Sequence, residues 1–181
     1  MRSVTFENGC TVVIFPSALG WMGMVGSPRG VRYLTFGHNS AQRAADRLGE
    51  ELGCDTKTGA WRPDLVARLQ RFARGEAEDF ADVSIDLPQR TPFQRAVVRA
   101  CRGIAPGETQ TYAQLATAAG RPTAARAVGN CMAANPLPLI VPCHRVVPSS
   151  GGLGGYSAPG GIRTKRRLLQ LERSWALAAA R

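Results

Sequence analysis

The chain predicts two parts: a small α/β domain, a sheet with helices, over residues 1–89, and a mostly α-helical domain over residues 90–181. Three observations carry that reading. Short apolar runs broken by turn residues fill the chain up to about residue 36. Beyond that point apolar residues recur at helical spacing. The charge balance also changes near residue 89, with 10 basic and 11 acidic side chains before it and 13 basic and 2 acidic after it. A length of 181 residues suits one domain or two small ones.

In the first part, Val4–Phe6, Thr11–Phe15, Trp21–Val25 and Val31–Phe36 read as strands, with turns at Asn8-Gly9 and Ser27-Pro28. Ser40–Leu52 reads as an amphipathic helix with Ser40 as its N-cap. Arg62–Arg74 reads as a second helix. Pro63 sits near its first turn, and Leu65, Val66, Leu69 and Phe72 share one face. Val83–Leu87 reads as a short strand and Pro88–Pro92 as a linker.

The second part is punctuated by caps and turns. Thr91-Pro92 starts a helix from Phe93 to about Arg102, and Pro106-Gly107 breaks the chain. Thr111 caps a helix over Tyr112–Ala119, with Leu115 and Ala116 inward. Gly120-Arg121-Pro122 forms a tight turn, and Thr123 caps a helix from Ala124 to about Ala134. Helix, turn and helix fit a helix-turn-helix, although a plain αα-hairpin is commoner. The second helix favours the sharper reading. It is slim (Ala124, Ala125, Ala127, Gly129, Ala133, Ala134), so it can approach a groove closely, and Arg126 is its only charge. A Gly-rich loop over Ser149–Gly161 leads into a last helix from Arg163 through Leu171 and beyond. No phosphate-loop pattern occurs, which argues against nucleotide binding.

Composition narrows the class. Hydrophobic content of 44% is ordinary for a globular chain, and no apolar run is long enough to span a membrane. The first residues alternate like a strand and lack the apolar core of a signal peptide. Five cysteines without a paired spacing argue against a disulfide framework and a zinc site, and for a reducing cytosol. Net charge is +10, carried by 21 Arg and 2 Lys. Codon usage can explain Arg over Lys, but not the near absence of acids after residue 89. A half this basic expects a polyanion.

The chemistry concentrates in Ile140–Val147, where Cys143, His144 and Arg145 are consecutive. A thiol is a strong nucleophile only as a thiolate, so it needs a base or a positive neighbour. The chain has two histidines, His38 and His144, and one adjoins Cys143. Glu172 supplies a carboxylate, completing a possible Cys-His-Glu relay. In an extended segment neighbouring side chains point to opposite faces, so a water would carry the proton from Cys143 to His144. Cys10, Cys54, Cys101 and Cys131 read as inert, buried thiols.

These residues, with their neighbours, resemble the O(6)-alkylguanine-DNA alkyltransferases, also called methylated-DNA–protein-cysteine methyltransferases. The resemblance runs from about Thr91 to Glu172. It rests on Thr91-Pro92-Phe93-Gln94, Thr111-Tyr112 with Leu115-Ala116, Arg126-Ala127-Val128-Gly129, Asn135-Pro136, Pro142-Cys143-His144-Arg145-Val146, Gly155-Tyr156-Ser157, and Lys165 with Leu168-Leu169 and Glu172. The first half matches loosely, at Gly20-Trp21 and Gly30-Val31-Arg32.

The resemblance implies a single-turnover DNA repair protein, in which a winged-helix-like second domain moves an alkyl group from guanine O6 to Cys143. It implies that His144 acts as base through water and that Glu172 orients it. Tyr112 would help turn the nucleotide out and protonate guanine N3, while Arg126 fills the gap in the stack. Asn135 would tie the helix-turn-helix to the active-site segment. The carbonyls of Cys143 and Val146 would read the guanine amine. Tyr156 and Ser157 would lie near O6, and Met132, Pro138 and Lys165 in the pocket. Thr123, Arg126, Ala127, Gly129 and Ser149 would face the minor groove of double-stranded DNA. The expected protein is a cytoplasmic monomer without cofactor, metal or membrane contact.

Two departures stand out. Ala158-Pro159 lengthens the stretch between Tyr156 and Lys165 relative to the family pattern, and Asn130 and Cys131 sit where small residues are expected. Two other classes compete. A lesion-sensing DNA-binding module would not need Cys143, and a Cys-His hydrolase would have no use for Arg126 or the basic half.

Overall fold

β-Branched and apolar residues at Thr11–Phe15 form strand β1, which pairs antiparallel with β2, Trp21–Ser27, in the register Val13↔Met24. β2 pairs antiparallel with β3, Gly30–His38, so the sheet order is β1-β2-β3. This computed structural model describes residues 10–52, 59–87 and 89–179. The expected strand at Val4–Phe6, the Asn8-Gly9 turn, Cys54 and Pro88 lie outside those residues.

By its internal contacts the chain falls into two units. One comprises Met1–Glu78 with Val83–Asp86, the other Asp79–Asp82 with Leu87–Arg181.

In the first unit, helix α1 spans Ala41–Leu52, and Ser40 Oγ accepts from the Arg43 amide at 3.2 Å, as an N-cap should. Leu48 of α1 buries itself with Val12 and Val25 of the sheet. Helix α2, Pro63–Arg74, buries Leu65, Leu69, Phe72 and Ala73 and ends at Gly75, whose φ of 92° closes the helix. The expected strand over Val83–Leu87 reduces to a single parallel bridge, Val31↔Ile85. Side-chain demands explain the shortening. Asp86 is buried and accepts from Ser27 Oγ at 2.7 Å, with Arg29 and Arg32 at 3.3 and 3.4 Å. The segment therefore ends on an ion-pair cluster instead of continuing a ladder.

In the second unit, helix α3 spans Pro92–Arg102 and opens with a reciprocal capping box between Thr91 and Gln94. Strand β4, Gln110–Thr111, leads straight into helix α4, Tyr112–Ala118, whose cap is a second such box between Thr111 and Gln114. Gly120, at φ 79°, turns the chain, and the Arg121 guanidinium lies 5.2 Å from the Phe93 ring centroid. Helix α5 spans Ala125–Ala133. Its N-cap is Ala124, not Thr123, and it has no side-chain cap bond. The reason is local: the Ala124 amide donates to the Arg121 carbonyl at 3.0 Å, which places exposed Thr123 inside that turn, one residue too early to cap.

After α5, Cys143–Arg145 forms one 3-10 turn, followed by strand β5, Val146–Val147. β5 pairs in parallel with β4, in the register Gln110↔Val146. The last helix, α6, spans Ile162–Ala179 and presses Lys165, Leu168, Leu169 and Glu172 inward. Among the described residues no helix is long and apolar enough to cross a membrane.

Candidate active site

The segment from Asn135 to Val147 is held by its own backbone and by one amide side chain. Asn135 Oδ1 accepts from the Leu137 amide at 3.1 Å, and its Nδ2 donates to the Val141 carbonyl at 2.8 Å. The same Nδ2 lies 3.2 Å from Cys143 Sγ. Leu139, buried at φ 73°, holds a left-handed conformation that costs on the order of 1 kcal/mol for a branched side chain. Asn135, two residues past the end of α5, thus bonds to the segment that carries Cys143.

Cys143 and His144 do not lie in an extended strand. The Arg145 amide donates to the Pro142 carbonyl at 2.9 Å and winds them into the 3-10 turn. Successive side chains then diverge by about 120°. The thiol turns toward Asn135, and the imidazole turns toward α6.

There, His144 Nε2 meets Glu172 Oε1 at 2.7 Å, with both side chains 0% exposed. An ionised carboxylate only accepts, so Nε2 carries the hydrogen and Nδ1 keeps its lone pair. Nδ1 is buried and has no hydrogen-bond partner among the described residues. Glu172 holds more than the histidine. Arg145 Nε lies 3.1 and 3.0 Å from its two oxygens, and the Gly107 amide donates to Oε2 at 3.0 Å. Arg145 Nη1 also donates to the Ile104 carbonyl at 2.6 Å. Burial raises the Glu172 pKa, but His144 and Arg145 outweigh it and bring the carboxyl down to about 2. Burial lowers the His144 pKa, helped by Arg145 and Lys165, despite the opposing pull of Glu172. The resting pair is a neutral imidazole on a carboxylate, so Glu172 fixes the tautomer more than it charges the ring.

Burial also raises the Cys143 pKa, against the opposing effects of Asn135, Lys165 and Tyr156. The resting group is a thiol surrounded by groups that would favour its thiolate. The Tyr156 hydroxyl is buried near this sulfur without a well-formed hydrogen bond. Tyr112 is raised by burial and then by Cys143, so it stays a proton donor at neutral pH.

A cavity of about 420 Å³ opens onto the thiol. Cys143 lines it together with Tyr112, Gly129, Met132, Ala133, Gly155, Tyr156 and Ser157. Gly129 adds no side chain to the lining, and a Cβ there would only make ordinary contact, at 4.0 Å, with the Tyr112 ring. Tyr112, Met132, Tyr156 and Ser157 therefore gather around one cavity.

Two expected pocket residues do not line the cavity. Pro138 is half-buried in the loop after α5 and is not among the residues lining it. Lys165 is fully buried beneath the site, where its Nζ donates to the Val146 carbonyl at 2.6 Å. Its stem starts on the inner face of α6, so the ammonium reaches that carbonyl and not the open space. Arg126 and Ala127 are exposed on α5, and Thr123 and Ser149 are exposed in turns. The roles of Arg145, Ile104 and Gly107 are not read from the sequence. Arg145 carried a signal, because a buried carboxylate beside a neutral imidazole needs a cation, and Arg145 adjoins that imidazole.

The chain is similar to known proteins both in sequence and in structure. The family model described as 6-O-methylguanine DNA methyltransferase, DNA binding domain, matches residues 92–174. A methylated-DNA–protein-cysteine methyltransferase of Mycobacterium tuberculosis is 46% identical over 122 residues, covering 64% of this chain and 72% of that protein. One from Methanosarcina acetivorans is 34% identical over 161 residues, covering 89% of this chain and 97% of that protein. Among solved structures, OGT of Mycobacterium tuberculosis in complex with DNA matches with a TM-score of 0.74 and 36% identity, over 91% of this chain and 93% of that one. O6-methylguanine-DNA methyltransferase from Pyrococcus kodakaraensis matches with a TM-score of 0.70 and 26% identity, over 90% of this chain and 99% of that one. With a relative this similar matched over nearly its whole length, and with the thiol, imidazole and carboxylate arranged in one buried site, the chain belongs to the methylated-DNA–protein-cysteine methyltransferase family.

Proposed function

We propose that this protein repairs DNA by moving an alkyl group from O6 of guanine to Sγ of Cys143, irreversibly and once per molecule. The observation that carries the reading is the Cys143 thiol in a cavity that Tyr112 and Tyr156 also line, backed by the His144–Glu172 pair. Residues 90–181 form the acting domain, a winged-helix-like fold in which α4 and α5 are the helix-turn-helix. Residues 1–89 form a supporting domain. The protein works in the cytoplasm, on chromosomal DNA.

Chemistry on a base inside a duplex requires turning it out, at a cost of a few kcal/mol in lost stacking. α5 enters the minor groove, where its Ala and Gly residues fit a narrow space. Arg126 inserts and offsets the lost stacking. Thr123, Ala127, Gly129 and Ser149 lie against the DNA backbone around it. The extruded guanine enters the cavity. Its exocyclic amine donates to the carbonyls of Cys143 and Val146. The Val146 oxygen, held by Lys165, keeps a second lone pair for that purpose. Tyr156 and Ser157 stand near O6, and Met132 packs against the base.

Transfer then balances as follows. The thiol proton passes through a water to Nδ1 of His144, the buried nitrogen with a free lone pair. The sulfur electron pair attacks the alkyl carbon, the S–C bond forms, and the C–O6 pair withdraws into guanine. Tyr112 gives its proton to guanine N3, so the leaving group departs neutral. The proton on His144 then returns through solvent to Tyr112. Net, one proton moves from sulfur to the base, and the thioether is final.

The test is a duplex carrying O(6)-methylguanine with a labelled methyl. After incubation and digestion, mass mapping should place one label per protein on Cys143. Label elsewhere, or release of more than one equivalent, overturns the reading.

A further inference from the structure

α6 has two unlike faces. Its inner face is used up, with Lys165, Leu168, Leu169 and Glu172 buried. Its outer face exposes Arg163, Arg166, Arg167, Gln170 and Arg173. At a rise of 1.5 Å per residue, Arg163 to Arg173 make a stripe about 15 Å long. No acidic residue stands on it. The second half has two acids: Glu172 points inward, and Glu108 lies outside the helix. Among the described residues no carboxylate pairs with Arg163, Arg166 or Arg173. The contrast with α1 is direct, because there Arg47 reaches Glu50 and Glu51 at helical spacing. Like charges at such spacing destabilise a helix by a few tenths of a kcal/mol per pair, so the stripe carries a cost that a polyanion would remove.

The stripe also has a direction. Glu172 and Lys165, on the inner face, contact His144 and Val146 of the cysteine segment. The outer arginines therefore point away from that segment, and a duplex feeding a base to Cys143 does not run along them. Charge and not apolar contact selects the partner. Ile162, 47% exposed, is the exposed large apolar side chain among the described residues and makes no patch alone.

We propose that the Arg163–Arg173 face of α6 is a second DNA-binding surface, which holds the phosphate backbone of a duplex segment other than the one under repair. A stripe about 15 Å long follows about four phosphates of one strand at 3.4 Å each along the axis. The proposal rests on the repair reading for its first DNA segment. It adds a contact that can keep the protein on folded or crowded DNA while α5 searches.

The test compares wild type with a variant carrying Arg163→Gln, Arg166→Gln and Arg173→Gln. Three measurements are made: reaction with free O(6)-benzylguanine, salt dependence of binding to long unmodified duplex, and capture of a labelled second duplex by protein already seated on an immobilised one. Unchanged free-base reaction shows that the variant is folded and active. The expected result is loss of second-duplex capture and a salt slope shallower by about 2 to 3, since each phosphate contact adds about 0.9. An unchanged slope overturns the proposal and leaves a solvated face. A shallower slope without capture by wild type also overturns it, because the stripe would then touch the repaired duplex. If wild type binds no DNA at all, the repair reading itself fails, which is a different outcome.

Discussion

Glu172 fixes which nitrogen of His144 can act as a base. Its Oε1 sits 2.7 Å from Nε2, so the hydrogen stays on that side and the lone pair stays on Nδ1. Replacing Glu172 with Gln keeps the size but lets the amide donate to Nε2, which frees the other tautomer. Transfer from free O(6)-benzylguanine should slow by at least tenfold, with the chain still folded. A rate within twofold of wild type would show that the tautomer does not matter.

Arg145 is the second half of that arrangement. It lies against both Glu172 oxygens and the Ile104 carbonyl and is 3% exposed. Arg145→Met leaves a buried carboxylate short of its cation and a carbonyl without its donor. Breaking one side of such a pair costs about 3–5 kcal/mol. Urea unfolding should show a loss in that range, and a loss under about 1 kcal/mol would mean that the pair is not balanced as the geometry requires.

Stability should fall steadily on the acid side. The folded His144 pKa lies below its ordinary 6.5, so the unfolded chain takes up that proton first as pH drops. The folded Glu172 pKa is about 2 against an ordinary 4.5, so its contribution is present above 4.5 and lost as pH falls toward 2. Both slopes have the same sign. The melting temperature should therefore decline from about pH 6.5 downward, and His144→Asn should flatten the upper part of that decline. A maximum of stability near pH 5 would contradict the assigned directions.

The role proposed for Arg126 is extrusion of the damaged nucleotide. Arg126→Ala should slow repair of duplex DNA by one to two orders of magnitude and leave reaction with the free base nearly unchanged, because a free base needs no turning out. Single-turnover rates on both substrates decide the matter. Equal losses would mean that Arg126 acts elsewhere.

What could be read from the sequence follows from how local each signal is. Ser40 and Thr111 are legible as caps, and Thr91-Pro92 as a helix start, because a cap is decided within four residues. Thr123 looks the same in sequence, but a competing turn from Arg121 to Ala124 takes its place. Cys143, His144 and Glu172 are legible because few other residues offer that chemistry. The β4–β5 pair is not, since two-residue strands have no periodicity to detect. Lys165 illustrates a further limit. A long side chain at one backbone position can reach a cavity or a buried carbonyl, and only packing selects the Val146 oxygen.

The Ala158-Pro159 segment should tune which alkyl groups the cavity admits. The Gly161 amide donates to the Ala158 carbonyl at 2.9 Å, closing a turn with Pro159 and Gly160 in the middle. Proline fixes its own φ, and Gly160 takes a φ of 82°, the combination that a type II turn requires. The turn is anchored to α6, because Thr164 Oγ1 donates to the Pro159 carbonyl at 2.6 Å and the Lys165 amide to the Gly161 carbonyl at 3.2 Å. On its other side it follows Tyr156 and Ser157 directly, and both line the cavity. A rigid turn thus joins one cavity wall to the helix that carries Lys165 and Glu172. Deleting Ala158 and Pro159 removes that anchor and shortens the wall, while it removes no charge. Affinity for unmodified duplex should stay within about twofold. The ratio of transfer rates for O(6)-methylguanine and O(6)-benzylguanine should shift by at least fivefold, because the larger adduct presses on the wall and the smaller one does not. An unchanged ratio in a folded deletion variant would reduce the turn to a surface bulge.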